Sequence, residues 1–240
     1  ALWSRFERAV VVVLFSADAA FGSFFFFNDT ATTEIYTNYT QGYAKMRLES
    51  IAEEAWSKGV MASVYNCPEI RTNSSDVFTG IELPLIPLLL ALKKEGGGQW
   101  AAEQWRACEA LLADGFTLDD VIGKIRDLQA SDVMIPFYDF SAWPMPNSQA
   151  QADLTIGTSH EITGMHRDSK VMISDLLSAL VVEATGQLIF DASSSPTGPV
   201  RWLNHDIVAR RLNATHAEPK TGSRSGAGEP GSASSHLEVA

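Results

Sequence analysis

Cysteine is scarce in this chain, with only Cys67 and Cys108 among 240 residues. Two cysteines cannot form a disulfide framework, and neither stands in a CxxC pair or at a Cys/His zinc spacing. Cys108 shares an apolar helical stripe with Ala101, Trp105 and Leu112, which favours a buried thiol. The sequence therefore excludes disulfide scaffolds and zinc-finger classes, and it identifies no metal site.

Positive charge is also in short supply. The chain has 18 Lys and Arg against 29 Asp and Glu, so its formal net charge is -11 at pH 7. The nearest approach to a basic cluster is the pair Arg210 and Arg211, which is too small for a phosphate-backbone footprint. Nucleic-acid binding is therefore disfavoured.

The familiar dinucleotide, hydrolase, kinase and zinc signatures are missing from the sequence, so it points to no cofactor. A clean membrane span is missing as well. The apolar stretch from Ala9 to Phe27 is interrupted by Ser16, Asp18 and Gly22, and the run from Leu83 to Leu92 is too short to cross a bilayer. We expect no stable membrane insertion and a cytoplasmic location.

The first 44 residues differ from the rest of the chain. Arg5 and Arg8 precede a short apolar run, which weakly resembles a secretory signal. The stretch from Phe24 to Thr37, FFFFNDTATTEIYT, resembles the peptide that arises when a common sequencing adapter is translated by mistake in environmental (metagenomic) assemblies. Residues 1–44 are therefore predicted to be non-native or not folded.

The other end of the chain, residues 217–240, is rich in Gly, Ser and Pro. Leu237 and Val239 are almost its only large apolar residues. Such a segment cannot bury enough apolar surface to offset its ordering entropy. We expect a disordered tail.

Residues 45–216 carry helical periodicity. Thr117 and Asp120 predict a capping box, Ser148 and Ser169 predict two further helix starts, and the run from Leu83 to Leu92 is apolar enough to lie in the core. Only one short β-leaning run is evident, at 60–65. The prediction is a mainly α, irregular domain of six or seven helices with at most one short strand pair.

Four residues are candidates for catalysis. His160 and His166 lie in an acidic stretch, but at six residues apart they point to nearly opposite sides of a helix, and no HExxH pattern is present. His205 stands next to Asp206, although consecutive helical residues do not face each other. Cys67 ends the predicted strand before a hydroxyl-rich segment, where a nucleophile or an anion pocket could lie.

An aromatic loop is the candidate binding surface. Phe137, Tyr138, Phe140 and Trp143 stand between prolines that prevent a regular helix. Large rigid aromatic area suits a ligand groove or a partner interface, and it equally suits a lid over the core.

Two functions remain open from the sequence. The first is a helical interaction or scaffold module that binds a protein partner or self-associates through the aromatic loop. The alternative is a small-molecule enzyme whose site is assembled from dispersed polar residues. We favour the module because no single motif demands chemistry, and the sequence does not decide whether the chain is an enzyme.

Overall fold

The computed structural model describes residues 9–15, 40–71, 81–96, 98–138 and 148–217, with side chains from residue 46 onward except at 137 and 138. These residues form three strands, eight α-helical segments and one 3₁₀ turn. In chain order they are β1 (Ala9–Phe15), α1 (Thr40–Ser57), β2 (Met61–Cys67), α2 (Glu82–Leu85), α3 (Pro87–Lys94), α4 (Gln99–Glu109), α5 (Leu118–Ala130), a 3₁₀ turn (Ile135–Tyr138), α6 (Gln149–Gly164), α7 (Ile173–Ser193), β3 (Val200–Trp202) and α8 (His205–Thr215).

The prediction of a mainly α fold is confirmed. Helices α2 and α3 are separated only by Ile86, so the described chain runs through seven helical units. From residue 40 onward, β2 and β3 form one short parallel pair, which agrees with the predicted limit of one strand pair. Strand β1 pairs with the other side of β2, in parallel from Ala9 opposite Met61 to Phe15 opposite Cys67. The sheet order is therefore β1-β2-β3.

Strand β2 occupies the centre of this sheet, and its last five residues are buried. Tyr65 and Cys67 pack with Leu203 against apolar residues of α7 and α8. Asn66 points the other way and hydrogen-bonds to α1. Because successive side chains of a strand alternate between the two faces, β2 is covered by helices on both sides.

The main core lies among the helices. The segment from Ile81 to Leu92 is the most deeply buried part, and Leu83, Leu85 and Leu88 are at most 1% exposed. Pro84 and Pro87 lie within this segment, where they divide α2 from α3 as expected of residues that lack an amide hydrogen. The predicted burial of this run is confirmed.

Local helix-start signals hold at two of three predicted positions. Thr117 and Ser148 each cap a helix through a reciprocal capping box, with Asp120 and Gln151 as the partners. The third prediction is wrong, because α7 starts at Ile173 rather than after Ser169. Its first turn is instead closed by the Asp175 carboxylate, which accepts a hydrogen bond from the Met172 amide at 2.8 Å.

Helix α7 meets the length and composition of a membrane-crossing segment. A helix that is buried in the core of a globular domain can satisfy the same criteria. Here Ile173, Leu177, Val181 and Ala184 are fully buried in the core, which accounts for much of the apolar character of α7.

Candidate active site at the carboxyl edge of the sheet

The carboxyl ends of the parallel strands define the candidate site. Strand β2 ends at Cys67 and continues into residues 68–71, which we call the β2 loop. Strand β3 ends at Trp202, and α8 begins three residues later. In open sheets of parallel strands, ligands bind in the crevice outside the carboxyl ends of the strands. This edge is therefore the part of the fold where a ligand is expected to bind.

The end of β2 is held by polar contacts within the protein. The Asn66 amide Nδ2 donates to Glu49 Oε1 of α1 at 2.6 Å, and both side chains are buried. On the other side, the Leu203 amide donates to the Asn66 carbonyl oxygen at 2.8 Å. A buried carboxylate that accepts a short amide hydrogen bond is well satisfied, so this contact fixes α1 against the strand end.

Arg71 fastens the β2 loop to the start of α7. Its guanidinium Nη1 lies 3.0 Å from Asp175 Oδ2 and 3.4 Å from Ser174 Oγ. Its backbone amide donates to Ser178 Oγ at 2.8 Å. The side chain is only 15% exposed, so the ion pair is better shielded from solvent than a surface pair. The loop is therefore tied to α7 through both its backbone and its side chain.

A buried carboxylate extends this network into the core. Glu82, at 2% exposure, accepts hydrogen bonds from Ser159 Oγ at 3.1 Å and from Ser174 Oγ at 3.3 Å. Ser174 is also within reach of Arg71. The chain of contacts joins the β2 loop, α2, α6 and α7. Such a satisfied polar network orients its members, because each group loses a hydrogen bond if a neighbour moves.

Cys67 lies on the apolar face of β2 and is 5% exposed. Burial raises the pKa of its thiol to about 12. A nucleophilic cysteine needs a thiolate near neutral pH, which usually comes from a nearby cation or a helix N-terminus. The surroundings of Cys67 therefore favour a structural thiol. Cys108 is buried in the same way, as its helical stripe predicted, and its pKa is also about 12.

His205 is the first residue of α8, next to the carboxyl end of β3, and it is 7% exposed. Burial lowers the pKa of its imidazole to about 4, although the neighbouring Asp206 partly opposes that shift. The imidazole is therefore neutral at physiological pH. It lies at the candidate edge, where a neutral ring can accept or donate a hydrogen bond.

We expect the stability of the protein to fall in acid because of His205. The unfolded imidazole takes up a proton near pH 6.5, whereas the folded one does so only near pH 4. Unfolding therefore binds a proton between these values, so the free energy of unfolding decreases as the pH drops through them. Between pH 7.5 and 4.5 the loss should be about 2–3 kcal/mol larger in the wild type than in His205→Gln. Urea unfolding at the two pH values measures it.

The matched control for this measurement is His160→Gln, because His160 is exposed on α6. That variant should keep the acid sensitivity of the wild type. An equal loss of stability in His205→Gln and the wild type would show that the folded imidazole titrates normally.

His166 has a structural position. Its Nδ1 lies 2.9 Å from the Ile162 carbonyl oxygen, and its Nε2 lies 3.2 Å from the Ile173 amide at the start of α7. The carbonyl requires a proton on Nδ1, and the amide requires a lone pair on Nε2, so the contacts select one neutral tautomer. Both ring nitrogens are occupied, and His166 serves as a cap for α7.

The four predicted catalytic residues thus occupy different surroundings. Cys67 and His205 lie near the carboxyl edge, His166 caps α7, and His160 is on the surface of α6. Within the described ranges, no group of three His, Cys, Asp or Glu side chains could hold a metal ion. The contacts of Arg71 with α7 and of Asn66 with Glu49 were not anticipated, since these partners belong to other elements of the fold.

The predicted aromatic surface falls mostly outside the described residues. Phe140 and Trp143 lie outside the described ranges. Phe137 and Tyr138 are in the 3₁₀ turn, where only their backbone is described. Their role as binding residues stays a prediction.

Comparison with known proteins identifies the family to which this chain belongs. Residues 1–212 match the model of the family described as "Enoyl-acyl carrier protein reductase FabMG". An apo structure of FabMG, described as a novel type of enoyl-acyl carrier protein reductase, is 53% identical with a TM-score of 0.74, over 87% of this chain and 46% of the other. An NADH-bound structure of FabMG is 49% identical with a TM-score of 0.65, over 90% and 51% of the two chains. The chain spans about half the length of these solved relatives. A search of the curated proteins found no match.

These matches correct two predictions made from the sequence. The interaction or scaffold module is wrong, because the matched family consists of reductases, and the alternative of a small-molecule enzyme is better supported. The expected protein partner is corrected as well, because the molecule bound by a relative is the cofactor NADH. From the sequence, an enzyme was only the alternative and NADH was not indicated, because no short dinucleotide motif is present.

Proposed function

We propose, since this chain belongs to the enoyl-acyl carrier protein reductase FabMG family, that it forms part of an NADH-dependent reductase acting on enoyl groups carried by acyl carrier protein. The observation that carries the proposal is the family match over residues 1–212. The NADH-bound relative, at 49% identity over 90% of this chain, supports the choice of cofactor.

The proposed cofactor region is the carboxyl edge of the sheet. It is bordered by the β2 loop on one side and by the start of α8 on the other. Helix α8 begins at this edge, and the N-terminus of a helix presents backbone amides and the positive end of the helix dipole to an anion such as a pyrophosphate. A dinucleotide therefore fits the donors present at this edge. Bound NADH would supply the hydride that reduces the enoyl double bond.

The role of the protein at this edge is to hold and orient. The contact between Asn66 and Glu49 keeps the end of β2 in place, and Arg71 keeps the β2 loop against α7. Hydride transfer depends on close approach and alignment of the reacting atoms, so a rigid border to the crevice favours it. The sequence has no glycine-rich dinucleotide fingerprint, and the proposed position of the cofactor rests on sheet topology and on α8.

A cytoplasmic location is part of this proposal. Cys67 and Cys108 are both free thiols. A reducing compartment keeps thiols in that state.

Two measurements on the intact chain test the proposed function. NADH should quench the tryptophan fluorescence in a saturable way, and the absorbance of NADH should fall when a trans-2-enoyl thioester is added. The corresponding saturated thioester is the matched control, because it lacks the double bond and should consume no NADH. A chain that neither binds NADH nor oxidises it with the enoyl substrate would contradict the proposal.

A further inference from the structure

A groove between α3 and α4 is separate from the carboxyl edge of the sheet. It has a volume of about 300 Å³ and shares no residue with the β2 loop or the start of α8. Its lining combines apolar and cationic side chains, namely Leu89, Lys93, Ala101, Ala102, Trp105 and Arg106. Ligand pockets of this kind are mostly apolar and have a few polar groups that fix orientation, and this volume is at the small end of their range.

The two cations of the groove are available for a ligand. The Lys93 ammonium lies 5.0 Å from the centroid of the Trp105 ring. Within the part of the chain that the structure describes, neither Lys93 nor Arg106 forms an ion pair. Glu103 and Glu109 lie one turn from Arg106 on α4, but they do not line the groove. In a chain with a net charge of -11, this is a local positive site above an apolar floor.

We propose that the α3–α4 groove binds a small single-chain amphiphile with a carboxylate head, of the medium-chain fatty acid class. The hydrocarbon chain would lie against Leu89 and the methyl groups of Ala101 and Ala102, where burial of apolar surface stabilises it. The carboxylate would lie between Lys93 and Arg106, where charge-assisted hydrogen bonds form. Trp105 closes one wall of the groove and holds the lysine by a cation–π contact.

This inference stands independently of the proposed reductase function. The groove lies on α3 and α4, whereas the proposed cofactor region lies on the β2 loop and α8. Binding at the groove can therefore be measured without NADH or an enoyl substrate. A failure here leaves the proposed function unaffected, and the converse also holds.

Calorimetric titration of the intact chain with decanoate, below its micelle concentration, tests the proposal. We expect saturable binding at one site. The double variant Lys93→Gln/Arg106→Gln should weaken it at least about tenfold, because both charge-assisted contacts are lost. The matched control Lys94→Gln/Arg126→Gln removes the same charge at exposed positions outside the groove and should bind like the wild type.

Two further measurements distinguish the contribution of the carboxylate head of the ligand from that of its hydrocarbon chain. Decanol should bind at least about tenfold more weakly than decanoate, since it lacks the anionic head. Ala102→Phe should abolish decanoate binding while both cations remain, because the added ring fills the groove from an exposed position. Absence of decanoate binding, equal binding by the double variant, equal binding of decanol or unaltered binding by Ala102→Phe would each overturn the proposal. Preferential binding of an acidic peptide over decanoate would overturn it in favour of a protein ligand.

Discussion

The variant Arg71→Ala is expected to lower kcat/KM for NADH-dependent reduction of an enoyl thioester by about 100-fold, the loss that a displacement near 1 Å can cause. Arg71 fixes the β2 loop through its pair with Asp175 and its contact with Ser174. Without the guanidinium, only the backbone bond to Ser178 remains among these three contacts. The loop can then shift at the edge where the cofactor is proposed to bind. Steady-state rates at varied NADH and enoyl thioester concentrations measure the effect.

Two control variants distinguish loop position from a general loss of charge. Arg126→Ala removes an exposed arginine of α5 and should leave kcat/KM unchanged. Arg71→Lys keeps the charge but loses the planar guanidinium, so it should restore only part of the activity. If Arg71→Ala retained kcat/KM within about twofold of the wild type while folding normally, the β2 loop would not belong to the site.

The contacts of Arg71 also show why the candidate site could not be predicted from the sequence. Arg71 and Asp175 are 104 residues apart, and Ser174 is 103 residues from Arg71. No periodicity or short motif connects positions at such a separation. The same holds for Glu82 and Ser159, which meet 77 residues apart in the core. Residues that are close in sequence, such as His160 and His166, need not share a site, and these two lie in unrelated surroundings in the fold.

The features that could be predicted depend on contacts within a few residues. The capping boxes at Thr117 and Ser148 each involve a partner three residues away, so the sequence contains all the information they need. The burial of 83–92 followed from composition alone, since these residues are apolar on every side of the helix. These local signals were sufficient for the helical class of the fold.

Strand pairing was the harder part of the fold. Strand β3 has three residues, and it pairs with β2 at Val64 opposite Val200, across most of the domain. A run this short gives no measurable alternation of apolar and polar residues. The sheet matters for function because its carboxyl edge is the proposed cofactor region. The sequence indicated one β-leaning run but not its partners. It therefore gave Cys67 as a candidate at the end of that run without showing the neighbouring strands that form the edge.

Chemical labelling of the two thiols is expected to show the largest effect of all. Burial raises the pKa of both Cys67 and Cys108 to about 12 from an ordinary value of 9.0. At pH 8 the thiolate fraction of each is therefore about a thousandfold smaller in the folded than in the unfolded protein, and only the thiolate reacts. Alkylation by iodoacetamide, followed by mass spectrometry, should be slower by at least this factor in buffer than in urea.

The engineered thiol Val182→Cys provides the control, because Val182 is 48% exposed on α7 and a cysteine there should react rapidly in the folded protein. Measuring stability at raised pH independently checks the direction of the pKa shift of the two thiols. Unfolding releases thiol protons between pH 9 and 12, so the two buried cysteines contribute stability below pH 9 that is lost as the pH rises through this range. If Cys67 reacted in the folded protein as fast as Val182→Cys, its thiol would be activated. A nucleophile at the end of β2 would then have to be included in the chemistry of the carboxyl edge.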